Sequence, residues 1–106
     1  MSEKNEKATI IPLPVVLQDD SLVRAKIFAA LSDATRLRII ELLAECEEMS
    51  GTDIANQLEI SLALFCHHSK TLVEAGLIRQ RKDGLTKYNS LNRKLLNATL
   101  KSLTKE

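Results

Sequence analysis

The chain has 106 residues, of which 44% are apolar but only 3% aromatic, with two cysteines and a formal net charge of +1. This length fits one domain with a small aliphatic core, and two cysteines are too few for a disulfide framework. No apolar run approaches the roughly 18–20 residues of a membrane span, and Met1–Pro14 lacks the basic and then apolar plan of a signal peptide. We therefore expect a soluble cytoplasmic protein whose thiols are reduced.

Charge is unevenly distributed along the chain. The range Glu41–Glu59 contains six carboxylates and no Lys or Arg, whereas Arg79–Lys94 contains six cations and one carboxylate. A domain with one acidic and one basic end can direct a polyanion to a single face even when its net charge is small. The alternative is that both segments are solvated faces without such a role.

The predicted elements begin after an N-terminal arm. Residues 1–18 are interpreted as flexible, because Pro12 and Pro14 exclude a continuous helix there, and residues 19–106 as one folded domain. Helix one is predicted to begin at Asp19–Ser21, where N-capping residues precede an apolar pattern of helical spacing. Its apolar positions are Leu22, Val23, Ile27, Ala30 and Leu31.

Helix two is predicted to follow a break and cap at Ser32-Asp33. It is apolar over a wide arc, so we expect it at the centre of the core. Its main apolar face is predicted to carry Leu37, Ile40, Leu43 and Ala44, with Ile39 beside them.

A short helix and a longer one come next. Ser50 is predicted to cap helix three, and Glu59-Ile60 forms a tight turn before Ser61 caps helix four. Gly76 is expected to end helix four in the left-handed conformation. The inward residues are predicted to be Ile54, Ala55 and Leu58 on helix three and Leu64, Phe65 and Leu72 on helix four.

A basic hairpin and a last helix complete the domain. The segments Leu77–Arg81 and Thr86–Leu91 flank a turn at Asp83-Gly84, and Asn92 can cap a final helix with an apolar stripe. The sequence thus predicts a mainly α fold of about five helices and a two-stranded β-hairpin. Short helix, tight turn, longer helix and basic hairpin form the layout of a winged helix-turn-helix, in which the longer helix enters the DNA major groove.

Specific strings strengthen this interpretation. They are Phe28–Leu43, Asp53–Ala55, Ser61–Leu72 with its His67-His68 pair, Glu74–Ile78 and the wing Arg79–Leu91. Together they resemble the ArsR/SmtB family of bacterial winged-helix repressors. The resemblance implies a homodimer held by the first and last helices, two half-sites in an inverted repeat of double-stranded operator DNA, and repression relieved by an inducer.

Helical geometry sorts the residues of helix four. If Phe65 and Leu72 face the core, positions 62, 63, 66, 67 and 70 face outward, and a serine at the helix start can donate to a phosphate. The predicted DNA contacts are Ser61, Leu62, Cys66, His67 and Lys70 on helix four and Arg81, Lys82 and Lys87 on the wing. The alternatives are a buried or capped histidine, above all at His68, and a solvated hairpin.

The two kinds of metal site that the resemblance implies are missing from this sequence. Ser50 and Thr52 stand where many members carry a cysteine pair, and a hydroxyl is a poor ligand for a soft metal. The last helix, from Asn92 onward, contains no histidine or carboxylate before Glu106. We therefore predict no metal and no cofactor.

The remaining candidate for a sensor is a thiol. Cys66 lies on the predicted DNA face near the positive end of helix four and beside His67, which favours a reactive thiolate. Oxidation there would place bulk or charge against the phosphates, and Cys46 is a second redox candidate. Two alternatives stay open, a ligand-independent repressor with structural cysteines and a winged-helix protein–protein adaptor. No motif indicates an enzyme.

Overall fold

Five helices and a three-stranded antiparallel sheet make up residues 20–104, the part of the chain that the computed structural model describes. The predicted arm, residues 1–18, lies outside the described residues. In chain order the elements are α1 (Ser21–Leu31), α2 (Ala34–Leu43), β1 (Met49–Ser50), α3 (Gly51–Leu58), α4 (Leu62–Glu74), β2 (Ile78–Asp83), β3 (Thr86–Leu91) and α5 (Arg93–Thr104).

The predicted winged helix-turn-helix is confirmed, with one strand more than expected. Strands β2 and β3 form the hairpin, joined by the two residues Gly84 and Leu85. The short strand β1 adds to the other edge of β3, where Met49 lies opposite Asn89. The sheet order is therefore β1-β3-β2. A two-residue strand is too short to show an alternating pattern, so the sequence did not reveal it.

The core is aliphatic, and α2 lies within it as predicted. Ile39, Leu43, Ile54, Leu72 and Leu77 are completely buried. The predicted inward face of α2 was right at Ile40 and Leu43, and at Ile39 beside them, but wrong at Leu37 and Ala44. Its buried side carries Ile39, Ile40 and Leu43, whereas Leu37 is 44% exposed and Ala44 is also exposed. Because the helix is apolar over a wide arc, its periodicity did not fix its rotation.

Side-chain caps begin four of the five described helices. Asp33, Ser50, Ser61 and Asn92 each accept a hydrogen bond from the backbone N–H three residues later, at 3.0–3.2 Å. Helix α1 differs, because Asp20 at its start accepts instead from the Arg24 guanidinium at 2.9 Å. Local sequence therefore specifies where these four helices begin.

Three helix ends are capped by arginines that come from elsewhere in the fold. Helices α1, α2 and α3 have no basic residue in their own last turns. The contacts are Arg36 to the Ala30 carbonyl at 2.6 Å, Arg38 to the Leu58 carbonyl at 3.0 Å, and Arg93 to the Leu43, Ala44 and Cys46 carbonyls at 2.9–3.3 Å. Each guanidinium places a positive charge at the negative end of a helix dipole. These arginines therefore stabilise helix packing.

Glu59 ends α3 in the left-handed conformation, with φ 58°. This conformation costs a residue with a Cβ about 1 kcal/mol or more, so Glu59→Gly is expected to raise the free energy of unfolding by about 1 kcal/mol. Urea denaturation measures the change. Glu59→Ala is the matched control, because it removes the carboxylate but keeps the Cβ. It should therefore bring no gain in the free energy of unfolding. An equal gain in both variants would point to charge instead of backbone strain.

Candidate nucleic-acid interface

Helix α4 has a buried face and a solvent face, divided as its sequence predicts except at Leu64, which was expected to face inward and is 39% exposed. Phe65 and Leu72 are buried, whereas Cys66, His67 and Lys70 are exposed. Ser61 and Leu62 at its start are exposed as well. The exposed residues differ from one another in chemistry, with a thiol, an imidazole and an ammonium group on one surface. Such a surface can meet both base edges and phosphates.

Close packing against α3 holds the start of α4 in place. A Cβ on Gly51 would lie 2.8 Å from the Phe65 ring, which is closer than a side-chain contact allows. Glycine at the first position of α3 therefore lets the aromatic ring lie directly against the backbone. This contact contributes to the fixed spacing between α3 and α4.

Histidines 67 and 68 have different environments although they are adjacent. His68 is 8% exposed, which confirms the alternative that this histidine is buried. His67 is exposed, and the centroids of the two rings lie 5.2 Å apart in an edge-to-face arrangement. Only His67 is therefore available to a ligand approaching the solvent face of α4.

The two faces of the wing carry different cations. Lys82 lies directly opposite Lys87 across the hairpin, whereas Arg81 lies opposite Tyr88. Because side chains alternate along a strand and cross-strand partners share a face, the two lysines point to one side and Arg81 to the other. The lysine face is the one that looks toward α4.

An open groove of about 820 Å³ runs between α4 and the lysine face of the wing. The residues along it that matter for an anion are Thr52, Cys66, Lys70, Lys82 and Lys87. Within residues 20–104, none of these three lysines forms an ion pair. The groove therefore presents three exposed positive charges to solvent.

Arg81 is engaged on the opposite face. Its Nη2 and Nε atoms donate to the two carboxylate oxygens of Glu48 at 2.6 and 3.2 Å, and its guanidinium lies 4.7 Å from the centroid of the Tyr88 ring. The hydrogen bond from Arg81 lowers the pKa of Glu48, and the same bond raises the pKa of Arg81. Both groups are well exposed, so the pair contributes little to stability. A DNA phosphate would have to compete with Glu48 for Arg81.

Two polar residues that the sequence did not reveal close the base of the groove. Asn89 is 1% exposed, and its Oδ1 accepts from Gln80 Nε2 at 2.8 Å while its Nδ2 donates to the Met49 carbonyl at 3.2 Å. One buried amide thus connects all three strands of the sheet. An asparagine within a strand pattern was the only sequence signal, and it did not indicate burial.

Neither cysteine is in a disulfide. Cys66 is exposed in the groove, whereas Cys46 is half-buried against the core with its Sγ 3.9 Å from the Leu42 carbonyl. Between residues 20 and 104 no three His, Cys, Asp or Glu side chains come together as a metal site would require. No helix in that range is long and apolar enough to cross a membrane.

Comparison with known proteins places this arrangement among transcriptional regulators. Residues 33–80 match the model of the family described as bacterial regulatory protein, arsR family. An uncharacterized HTH-type transcriptional regulator of Bacillus subtilis, YceK, is 45% identical over 75 residues, which are 70% of this chain and 75% of the relative. An arsenical resistance operon repressor of Staphylococcus aureus is 35% identical over 77 residues, 73% of each chain.

A solved structure supports the fold. The homodimeric winged helix-turn-helix DNA-binding domain Mb0332 of Mycobacterium bovis superposes with a TM-score of 0.70, over 92% of this chain and 88% of that one. The two sequences are 22% identical, so this likeness concerns the fold alone.

Proposed function

This chain belongs to the arsR family of bacterial regulatory proteins, and from that premise we propose that it represses transcription by binding operator DNA through α4 and the wing. It is a transcriptional regulator and not an enzyme. The observation that carries the proposal is the groove between these two elements, where Lys70, Lys82 and Lys87 are exposed beside the solvent face of α4 and form no ion pair within residues 20–104.

In this proposal the parts of the surface have separate tasks. The exposed residues Leu62, Cys66 and His67 lie where they can meet base edges, and an apolar side chain such as Leu62 suits the methyl group of thymine. Ser61 and the lysines bind backbone phosphates. Arg81 can join them only by leaving Glu48, so its phosphate contact stays a prediction.

We propose further that two copies associate through α1 and α5. Large apolar side chains are exposed on both helices, with Leu22 at 87% and Val23 at 60% on α1 and Leu100 at 47% and Leu103 at 64% on α5. The similar Mycobacterium bovis domain is homodimeric. A two-fold dimer presents its two α4 helices to half-sites about one helical turn apart, roughly 34 Å, in an inverted repeat.

A gel shift with the protein's own promoter DNA over a salt series tests the DNA-binding part. Phosphate contacts make the logarithm of affinity fall steeply with the logarithm of salt concentration. A protein–protein adaptor would bind the promoter weakly and without this steep dependence.

We propose thiol oxidation as the releasing signal. Cys66 is exposed within the groove between α4 and the wing lysines, whereas Cys46 is half-buried and is the second candidate. Attack of the Cys66 thiolate on a peroxide forms an S–O bond and breaks the O–O bond, and the resulting sulfenate would place bulk and negative charge against the DNA that enters the groove.

Peroxide is therefore expected to reduce operator affinity at least tenfold, and a thiol reductant is expected to restore it. Cys66→Ser should keep its affinity in peroxide, whereas Cys46→Ser should respond like the natural sequence. Binding measured by fluorescence anisotropy, reduced and oxidised, gives the comparison. If Cys66→Ser responds fully to peroxide, Cys66 is not the sensor. If peroxide changes the operator affinity of neither the natural sequence nor the two variants, the protein is a repressor with structural cysteines.

A further inference from the structure

His68 lies on the inner side of α4, and one side chain from another helix determines which of its ring nitrogens carries the hydrogen. Its Nδ1 atom is 3.1 Å from Nη1 of Arg36, in the first turn of α2. A guanidinium can only donate hydrogen bonds, so Nδ1 must be the acceptor. The hydrogen is then on Nε2 and the ring is neutral, which also avoids a second cation beside Arg36. The carboxylate of Asp33 is 3.8 Å from Nδ1, too far for a hydrogen bond.

The other atoms of Arg36 extend this contact to a junction of three helices. Its Nε donates to the Ala30 carbonyl at 2.6 Å and its Nη2 to the Ala29 carbonyl at 3.5 Å, both in the last turn of α1. Its backbone N–H donates to Asp33, the cap of α2, at 3.0 Å. One guanidinium thus connects the end of α1 to the middle of α4.

We infer that His68 is a positioning residue for the DNA-reading surface, holding α4 to the α1–α2 junction as a neutral Nε2–H imidazole that accepts from Arg36. The neighbours of His68 along α4, Cys66, His67 and Lys70, are the exposed residues of the groove. Helix α1 carries the exposed Leu22 and Val23 of the proposed dimer surface. The contacts of Arg36 with His68 and with the end of α1 therefore also connect α4 to the helix that carries this surface. The inference rests on the proposed function in that it takes α4 to be the helix that reads DNA.

The first test needs no DNA. Long-range ¹H–¹⁵N NMR of the imidazole nitrogens in the full chain distinguishes the two neutral tautomers and the charged ring. The expected result is an unprotonated Nδ1 and a protonated Nε2 at His68 near neutral pH. A proton on Nδ1 would overturn the inference, because Arg36 could then not donate to it.

The second test uses a matched pair of amide variants. The Oδ1 atom of asparagine lies near the position of Nδ1, whereas the longer glutamine places its oxygen near the position of Nε2. His68→Asn can therefore still accept from Arg36, and His68→Gln cannot do so without rearrangement. Operator affinity is expected within about threefold of the natural value for His68→Asn and about tenfold weaker for His68→Gln, which corresponds to ~1.4 kcal/mol.

The slope of the salt dependence separates positioning from direct contact with DNA. Neither variant removes a phosphate contact, so both slopes should equal that of the natural sequence. If circular dichroism shows that both variants are folded and their operator affinities are equal, the positioning role is overturned and His68 is a core residue only. If the natural sequence itself binds no promoter DNA, the proposed function fails, whereas the tautomer still reports on the Arg36 contact.

Discussion

Replacing Lys82 and Lys87 together with alanine is expected to lower operator affinity about a thousandfold at physiological salt. Each lysine is proposed to neutralise one phosphate in each protomer, so a dimer loses four contacts. Each lost contact flattens the plot of log affinity against log salt by about 0.9, or about 3.6 in all. The two side chains lie opposite each other on the groove face of the hairpin and are exposed, so the substitution should leave the fold intact.

The matched control keeps the charge and changes the shape. Lys82→Arg with Lys87→Arg should bind with nearly the natural slope, because both cations can still meet a phosphate. Arg81→Ala belongs in the same series. Since Glu48 holds its guanidinium by two hydrogen bonds, we expect Arg81→Ala to change the slope less than Lys82→Ala does. An unchanged slope in the double alanine variant would show that the wing does not bind phosphates.

Arg93→Met is expected to lower the free energy of unfolding by about 2 kcal/mol. The substitution keeps an aliphatic stem but removes three charge-assisted hydrogen bonds from α5 to carbonyls at the end of α2. Such bonds contribute about 1.5–3 kcal/mol each when buried, and two of these three are exposed, which reduces the sum. For a domain of this size the melting temperature should fall by roughly 10 °C.

Lys94→Met is the control for Arg93. It removes an adjacent exposed cation that makes no hydrogen bond or ion pair within residues 20–104, so the change should stay within about 0.5 kcal/mol. Melting at one fixed protein concentration is needed, because association of two chains raises the apparent stability. Equal losses in both variants would assign the effect to net charge and not to the capping of α2.

Much of the site could be predicted because its geometry is local. An N-cap and the amide it accepts are three residues apart, so Ser50 and Ser61 specify the starts of α3 and α4 without reference to the rest of the fold. The period of 3.6 residues per turn then fixes which side chains share a face. The solvent face of α4, with Cys66 and His67, follows once Phe65 is placed in the core.

Other features depend on which segments meet, and no local pattern specifies that. The wide apolar arc of α2 permitted several rotations, and packing chose the one that buries Ile39 and exposes Leu37. Strand β1 exists only because Met49 and Ser50 meet the edge of β3. A carboxylate 33 residues away in sequence engages Arg81.

The sequence by itself determined the order of the five helices and the hairpin, the caps of four helices, the turn after α3 and most of the solvent face of α4. Only the tertiary structure decided which charges are available to a ligand. It directed Lys82 and Lys87 into the groove, paired Arg81 with Glu48, and placed Arg36 and Arg93 on the ends of other helices. The physical reason is that a cation acts on the nearest partner in space, and the fold alone sets that distance.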